Sequence, residues 1–322
     1  MKYITIFNEL NITRQCKRYG VPLWQCPQFL FLVMGIVVII VAIATYYIGT
    51  QYIWDPRLVA LIVLIVSTIL FVVGFIISQS FERLAEANKI KSEFISVVSH
   101  QLRTPISNLG WAIELLMSGR LGKIEKKQIE YFTILKENIG RMRELVKDLL
   151  MVSRIETQTL LFKEKEFCLA ELTQELIKDF EPVAKASNVQ IVFNQPKRIP
   201  LVFADPFQIR QVVENLLDNA IRYIQNKGDI RIKIEARDNK LYFKIKDNGV
   251  GIPPEDQKYI FQKFFRADNA MKYQTQGSGL GLYIAKSIIE KSKGRIGFIS
   301  QKEQGSTFWF YLPILKENNI KN

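Results

Sequence analysis

Ser99-His100-Gln101-Leu102-Arg103-Thr104-Pro105 holds the single histidine of a 322-residue chain. Two stripes recur around it at three- and four-residue spacing. One is polar (Glu93, Ser96, His100, Arg103, Thr104, Ser107) and the other apolar (Phe94, Val98, Leu102, Ile106, Leu109), the mark of an amphipathic helix. The pattern turns His100 away from the helix's packing surface, open to a partner. A neutral imidazole, with an unperturbed pKa of about 6.5, is a nucleophile toward phosphorus near neutral pH. Pro105 falls in the same pattern, cannot donate to the carbonyl of Gln101, and predicts a bend just after the histidine.

Upstream lie two apolar runs, residues 29–48 and 58–77, with no Asp, Glu, Lys, Arg or His. Each is long enough to cross about 30 Å of hydrocarbon as a helix. The polar segment before them, residues 1–28, does not read as a cleaved signal peptide. Basic residues precede the first run and follow the second (Arg83, Lys89, Lys91), whereas the 49–57 loop holds only Arg57. That asymmetry predicts a multi-pass protein with both termini cytoplasmic. The loop is too short to fold alone, so a stimulus would be read in the bilayer, through a partner protein, or at the cytoplasmic face. Gly74 and Ser78 have the spacing of a close helix contact. From residue 75 to 104 there is neither glycine nor proline. The second span therefore predicts a helix unbroken to His100, about 35 Å further on, and a direct lever from membrane to histidine.

Downstream, Gly119 and Gly122 mark a turn at 118–123, and a second helix is expected over 124–156. Phe132, Leu135, Ile139, Met142, Val146 and Leu149 form a heptad seam. A lone helical hairpin cannot bury both faces, which predicts a homodimeric four-helix bundle; the alternative is a monomeric hairpin packed on another domain. Residues 159–315 alternate helix and strand signals in α+β style. Helices are expected over 169–187, 206–225 and from about 279, with strands at 189–193, 201–204, 229–236, 241–247, 295–300 and 306–312.

The net charge of +13 has three units before residue 29 and ten beyond residue 77. No basic run is interleaved with aromatics, so nucleic acid is not expected as a partner; a basic face near an anionic membrane is. Cys16, Cys26 and Cys168 show neither metal spacing nor a disulfide framework and read as reduced thiols, with acylation the alternative for the first two.

Four patches in the C-terminal half carry chemistry. The 206–225 helix has a polar stripe of Gln208, Gln211, Asn215, Asn219 and Arg222. The Asn215 and Asn219 oxygens, one turn apart, suit Mg²⁺ or else a hydrogen-bonded packing face. Asp247 shares strand parity with Leu241, Phe243 and Ile245, and a carboxylate pointing inward needs a donor such as the adenine amine. Asn248-Gly249-Val250-Gly251 follows it as a turn permitting close approach. Gln276-Gly277-Ser278-Gly279-Leu280-Gly281 opens a helix, a setting that favours phosphate. The polar stretch 266–276 before it reads as a flexible cover, framed by Phe261 and Phe264.

The run F-I-S-V-V-S-H-Q-L-R-T-P (94–105) resembles the phospho-acceptor box of bacterial sensor histidine kinases. Q-V-V-E-N-L-L-D-N-A, D-N-G-V-G-I-P, F-Q-K-F-F-R and G-S-G-L-G-L resemble the ATP-binding boxes of the same family, in its order. The resemblance spans about 89 to 313. It implies a multidomain membrane protein of the bacterial cytoplasmic (inner) membrane: tail 1–28, transmembrane helices 29–48 and 58–77 joined by external loop 49–57, dimerisation and histidine phosphotransfer region 78–158, ATP-binding domain 159–315, and tail 316–322. The ATP-binding domain would be a two-layer α+β sandwich of the Bergerat type, shared with gyrase-type ATPases. The resemblance further implies ATP and Mg²⁺ as cofactors and the receiver domain of a separate response regulator as partner.

By the same resemblance, His100 accepts the phosphoryl group, Asn219 ligates Mg²⁺, Asp247 binds adenine, Arg222 lies near the phosphates and Tyr223 near the base. Gly249, Gly251, Gly277, Gly279 and Gly281 would shape the pocket and lid, Thr307 would support the pocket, and Phe264 and Leu280 count among the cofactor-binding residues. Gyrase-type relatives have a glutamate that activates water where this chain has Asn215, and an amide cannot take that proton. Thr104 matches the position that orients water for dephosphorylating the partner. Gln101 departs from the family, most of which has Glu or Asp there. An amide stabilises an imidazolium less than a carboxylate does, which implies a reduced but real autokinase, or an ATP-binding switch acting mainly as phosphatase or scaffold.

Overall fold

The computed structural model describes residues 27–157, 159–194, 199–267 and 277–314. The expectations for residues 1–26, the 268–276 part of the cover and the 316–322 tail lie outside them. The chain divides into two units, residues 1–104 with 153–160, and residues 105–152 with 161–322.

In the first unit, α1 (Pro27–Tyr52) and α2 (Pro56–Met117) are joined by three residues. The connector is shorter than the 49–57 loop expected, because α1 winds on past the apolar run. Asp55 stops the link by accepting the Arg57 amide at 2.9 Å, with Pro56 opening α2. Gly74 is a close contact, since a Cβ there would lie 3.1 Å from Met34 Cε, and Phe31 meets Phe71 edge-on. Both helices are long and apolar enough to cross a membrane, with mean hydropathy of 2.8 and 3.1 over their apolar windows. Their large apolar side chains are mostly exposed, which water would penalise and lipid would not. Pro105 sits inside α2 without ending it. Ser99 is fully buried while His100, Gln101 and Thr104 are exposed.

In the second unit, the end of α2 packs on α3 (Lys126–Glu156) through Ile106, Ile113, Ile139 and Val146, flanked by Phe132 and Leu150. Only half of the heptad seam is used in this way. Phe132, Ile139 and Val146 turn inward, whereas Leu135 and Met142 stay exposed, as do Leu109 and Leu116 on α2.

Beyond the hairpin come β1 (Lys165–Phe167), α4 (Leu169–Ala186), β2 (Val189–Asn194), β3 (Val202–Ala204), α5 (Pro206–Arg222), β4 (Gly228–Arg237), β5 (Lys240–Asp247), α6 (Gly281–Lys291), β6 (Arg295–Gln301) and β7 (Gly305–Pro313). The main sheet has the order β2-β4-β5-β7-β6, parallel between β2 and β4 and antiparallel elsewhere. Alternate residues (Ile230, Ile232 and Ile234; Leu241, Phe243 and Ile245; Phe308, Phe310 and Leu312) are buried, and the Phe243 and Phe310 rings stack across strands at 4.9 Å. The apolar stripes of α4, α5 and α6 are buried with them, giving a two-layer α/β sandwich.

β1, absent from the sequence reading, pairs antiparallel with β3 as a separate two-stranded sheet. Asp205 sets α5 in place: its Oδ1 accepts the Phe207 and Gln208 amides, and its Oδ2 accepts the Lys163 amide at 2.8 Å.

Candidate nucleotide site

The inner side of α5 faces a cavity of about 430 Å³. Gln211, Asn215, Asn219 and Arg222 all line it, so the amide stripe is a cavity wall and not a solvated face. Gln208 departs from the stripe: it is buried outside the cavity, beside Asp205 and Phe207. The two asparagines differ. Asn215 Nδ2 donates to the Gly281 carbonyl at 3.2 Å, tying α5 to the head of α6, whereas the Asn219 amide enters no such bond among the described residues. The Asn215 bond uses its nitrogen, so the oxygens of both asparagines remain acceptors on the cavity wall. Gln211 Oε1 is buried without a hydrogen-bond partner among the described residues, an acceptor that a bound donor would satisfy.

Asp247, 5% exposed at the end of β5, is the buried carboxylate of the site. Its Oδ1 accepts the Gly249 amide at 2.9 Å and the Ser306 amide at 3.1 Å, and Oδ2 retains acceptor capacity for an amine. Loss of water raises its pKa from 3.8 to about 6, against those two hydrogen bonds and one from its own backbone amide. Phe180, Val183, Ile260, Phe265 and Phe308 give the cavity an apolar side suited to a flat base. Tyr223 lines it too, its phenol pushed up by burial and so neutral. Among the charged lining residues, Arg222 Nε meets Asp218 at 2.7 Å. Burial alone would weaken the charge on Arg222, but the Asp218 and Glu144 carboxylates outweigh that and hold it more firmly cationic.

Gly251, Gly277, Gly279 and Gly281 line the cavity. Gly251 and Gly279 require φ of +63° and +67°, and a Cβ on Gly279 would come within 2.8 Å of the Phe264 backbone. These glycines make the cradle into which backbone amides and a ligand can approach. A buried carboxylate, an orphaned amide oxygen, an open carboxamide and a glycine turn at a helix start fit a nucleotide, the oxygens as acceptors and the turn's amides as donors to phosphate.

Four expected residues do not line the cavity. Phe264 has φ of +61° and is 64% exposed; this turn swings the chain so that Phe265 and Arg266 face inward instead. Thr307 has the opposite strand parity from Ser306 and Phe308, which do line the cavity, and pairs with Lys246 and Ile299. Gly249 acts through its amide on Asp247, and Leu280 is buried at the head of α6. The sequence reading also missed Glu144, Lys147 and Asp148, which reach the cavity from α3. Their charges at helical spacing read as a solvated face. His100, Gln101 and Thr104 are not among the lining residues and belong to the first unit.

Residues 90–158 match the His Kinase A (phospho-acceptor) domain, and residues 204–316 match the family of histidine kinase-, DNA gyrase B- and HSP90-like ATPases. The circadian input-output histidine kinase CikA of Synechococcus elongatus is 30% identical over 229 residues, which is 70% of this chain and 30% of that one. Full-length ShkA in complex with AMPPNP superposes with a TM-score of 0.59 at 26% identity, covering 70% of this chain and 46% of that one. Histidine kinase ThkA in complex with response regulator protein TrrA gives a TM-score of 0.51 at 28% identity, covering 74% and 65%. The chain spans between 25% and 59% of the lengths of the curated relatives it matches. This chain belongs to the two-component sensor histidine kinases.

Proposed function

We propose that the chain is an ATP-dependent protein-histidine kinase that phosphorylates its own His100 and passes the phosphoryl group to an aspartate of a separate response regulator. The observation that carries this is one chain holding both an exposed histidine in its phospho-acceptor box and a cavity joining Asp247, Asn219 and the glycine turn. In this reading, the Nε2 lone pair of His100 attacks the γ-phosphorus, an N–P bond forms, and the bond from that phosphorus to the β,γ-bridging oxygen breaks to release ADP. The Gln101 oxygen accepts from Nδ1–H and orients the ring, and the proton leaves to water. Asp247 and Tyr223 seat the base, Arg222 and the turn from Gly277 to Gly281 hold the phosphates, and Asn219 holds Mg²⁺, which would neutralise phosphate charge. Asn215, bonded to Gly281 and unable to accept a proton, leaves water unactivated.

The two apolar helices support a membrane anchor, the Lys and Arg residues flanking the spans support cytoplasmic termini, and the unbroken α2 supports a lever from the second span to His100. The exposed half of the heptad seam supports a homodimeric four-helix bundle. Thr104, exposed one turn after His100, supports a phosphatase step on the partner. A second reading, an ATP-binding switch with weak kinase activity acting mainly as phosphatase or scaffold, is favoured by Gln101 alone. Incubation with γ-labelled ATP separates the two. Acid-labile, alkali-stable label that vanishes in His100→Gln supports the kinase, and nucleotide binding without label supports the switch.

A further inference from the structure

The cavity is lined in part by carboxylates from a helix outside the sandwich. Asp148 of α3 accepts a hydrogen bond from Ser278 Oγ at 2.8 Å. Ser278 belongs to the glycine turn that opens α6, and its Oγ also accepts the Leu280 amide at 3.2 Å. One helical turn before Asp148, Glu144 lines the same cavity and adds its attraction to Arg222. The glycine turn and Arg222 are the two groups assigned above to the phosphates. Ser278 is thus already bonded to a carboxylate of the hairpin, and Arg222, whose direct ion-pair partner is Asp218 at 2.7 Å, feels the Glu144 carboxylate of the hairpin as well. The charge on Asp148 has been taken out of water to do this: burial pushes its carboxyl up, against the pull of the Ser278 hydroxyl and of Lys147.

We infer that Glu144 and Asp148 are a built-in occupant of the phosphate end of the nucleotide cavity, an acidic pair that competes with a triphosphate for Arg222 and Ser278. The inference rests on the nucleotide reading of the cavity. Like charges at hydrogen-bonding distance repel, so phosphates enter only when α3 gives up these contacts. Any input that shifts α3 would then set nucleotide affinity, because a ligand that binds one arrangement better shifts the population toward it. Adenosine, which has no phosphates, is blind to the pair.

The test uses the full chain in lipid nanodiscs, with ATP plus Mg²⁺ and, separately, adenosine as titrants, each displacing a fluorescent ATP analogue. Asp148→Asn keeps the shape and removes the charge, and Glu144→Gln is the second variant; circular dichroism checks that both remain folded. ATP should bind Asp148→Asn on the order of five- to fiftyfold more tightly than the parent chain, and Glu144→Gln more tightly by a smaller factor. Adenosine affinity should not move. Equal ATP affinity in all three proteins overturns the inference while leaving the nucleotide site intact. Equal tightening for ATP and adenosine overturns it too, since it marks a general loosening. Failure of the folded parent chain and both variants to bind either ligand overturns the nucleotide reading itself.

Discussion

Helices α2 and α5 carry the same pattern, a polar stripe beside an apolar one, with opposite outcomes. On α5 the polar stripe closes a cavity: Gln211 is 7% exposed, and Asn215, Asn219 and Arg222 look inward with it. On α2 the stripe stays open, and His100 stands exposed beside a buried Ser99. Periodicity tells which residues share a face, while what covers that face is decided by elements remote in sequence. A ligand site needs the covered face, where water is scarce and hydrogen bonds count for more. A phospho-acceptor needs the open face, because its donor must reach it.

The largest effect that would sharpen this contrast is on α2. His100→Gln should abolish phosphorylation while leaving ATP affinity unchanged, read by label incorporation and by nucleotide titration of one sample. The mirror experiment is in the sandwich. Asp247→Asn exchanges the buried acceptor for an amide and should weaken ATP binding on the order of a hundredfold, the loss expected for one charge-assisted hydrogen bond in a buried site.

A smaller effect comes from pH. The Asp247 carboxyl, raised from 3.8 to about 6 by burial, holds its proton more tightly in the folded chain than in the unfolded one. The ligand-free sandwich therefore gains stability as pH falls through about 6, and the penalty of burying the charge stands in full above it. Adenine needs the ionised form, so ATP binding should weaken about tenfold per unit below pH 6. Burial also raises the Asp148 carboxyl, and loss of its charge acts in the opposite sense, so the titration belongs in the Asp148→Asn background, where the full slope should appear. A flat profile there would break the assignment of Asp247. The smallest change is next to the histidine. Gln101→Glu should raise the autophosphorylation rate by about tenfold or less through better support of the imidazolium; a lower rate in folded protein would contradict the role given to Gln101.

Most strands and helices were legible in the sequence because their apolar residues alternate or recur cleanly, as in Ile230, Ile232 and Ile234. β1 was not, since Lys165-Glu166-Phe167 is three residues without alternation and exists only by pairing with β3. Thr307, expected from the resemblance to support the pocket, has the parity opposite to Ser306 and Phe308 on β7, whose run Phe308-Trp309-Phe310-Tyr311-Leu312 is apolar on both parities, so its inward side is set by pairing and not by pattern. Phe264 lies outside the cavity lining at a positive φ, and such a turn at a bulky residue leaves no trace in composition. Asn215 and Asn219 sit one turn apart on the same stripe, and the bond that holds Asn215 Nδ2 to the Gly281 carbonyl, 66 residues away, leaves no mark in the pattern. Glu144 and Asp148 gain meaning from α6, more than a hundred residues further along the chain.

The measurement closest to the central claim is site mapping of phosphate on the full chain in nanodiscs after incubation with ATP and Mg²⁺, by mass spectrometry kept alkaline to preserve phosphoramidates. The account predicts phosphate on His100 and on no other residue. Chain that binds ATP yet carries no phosphohistidine, even with Gln101→Glu, would contradict it.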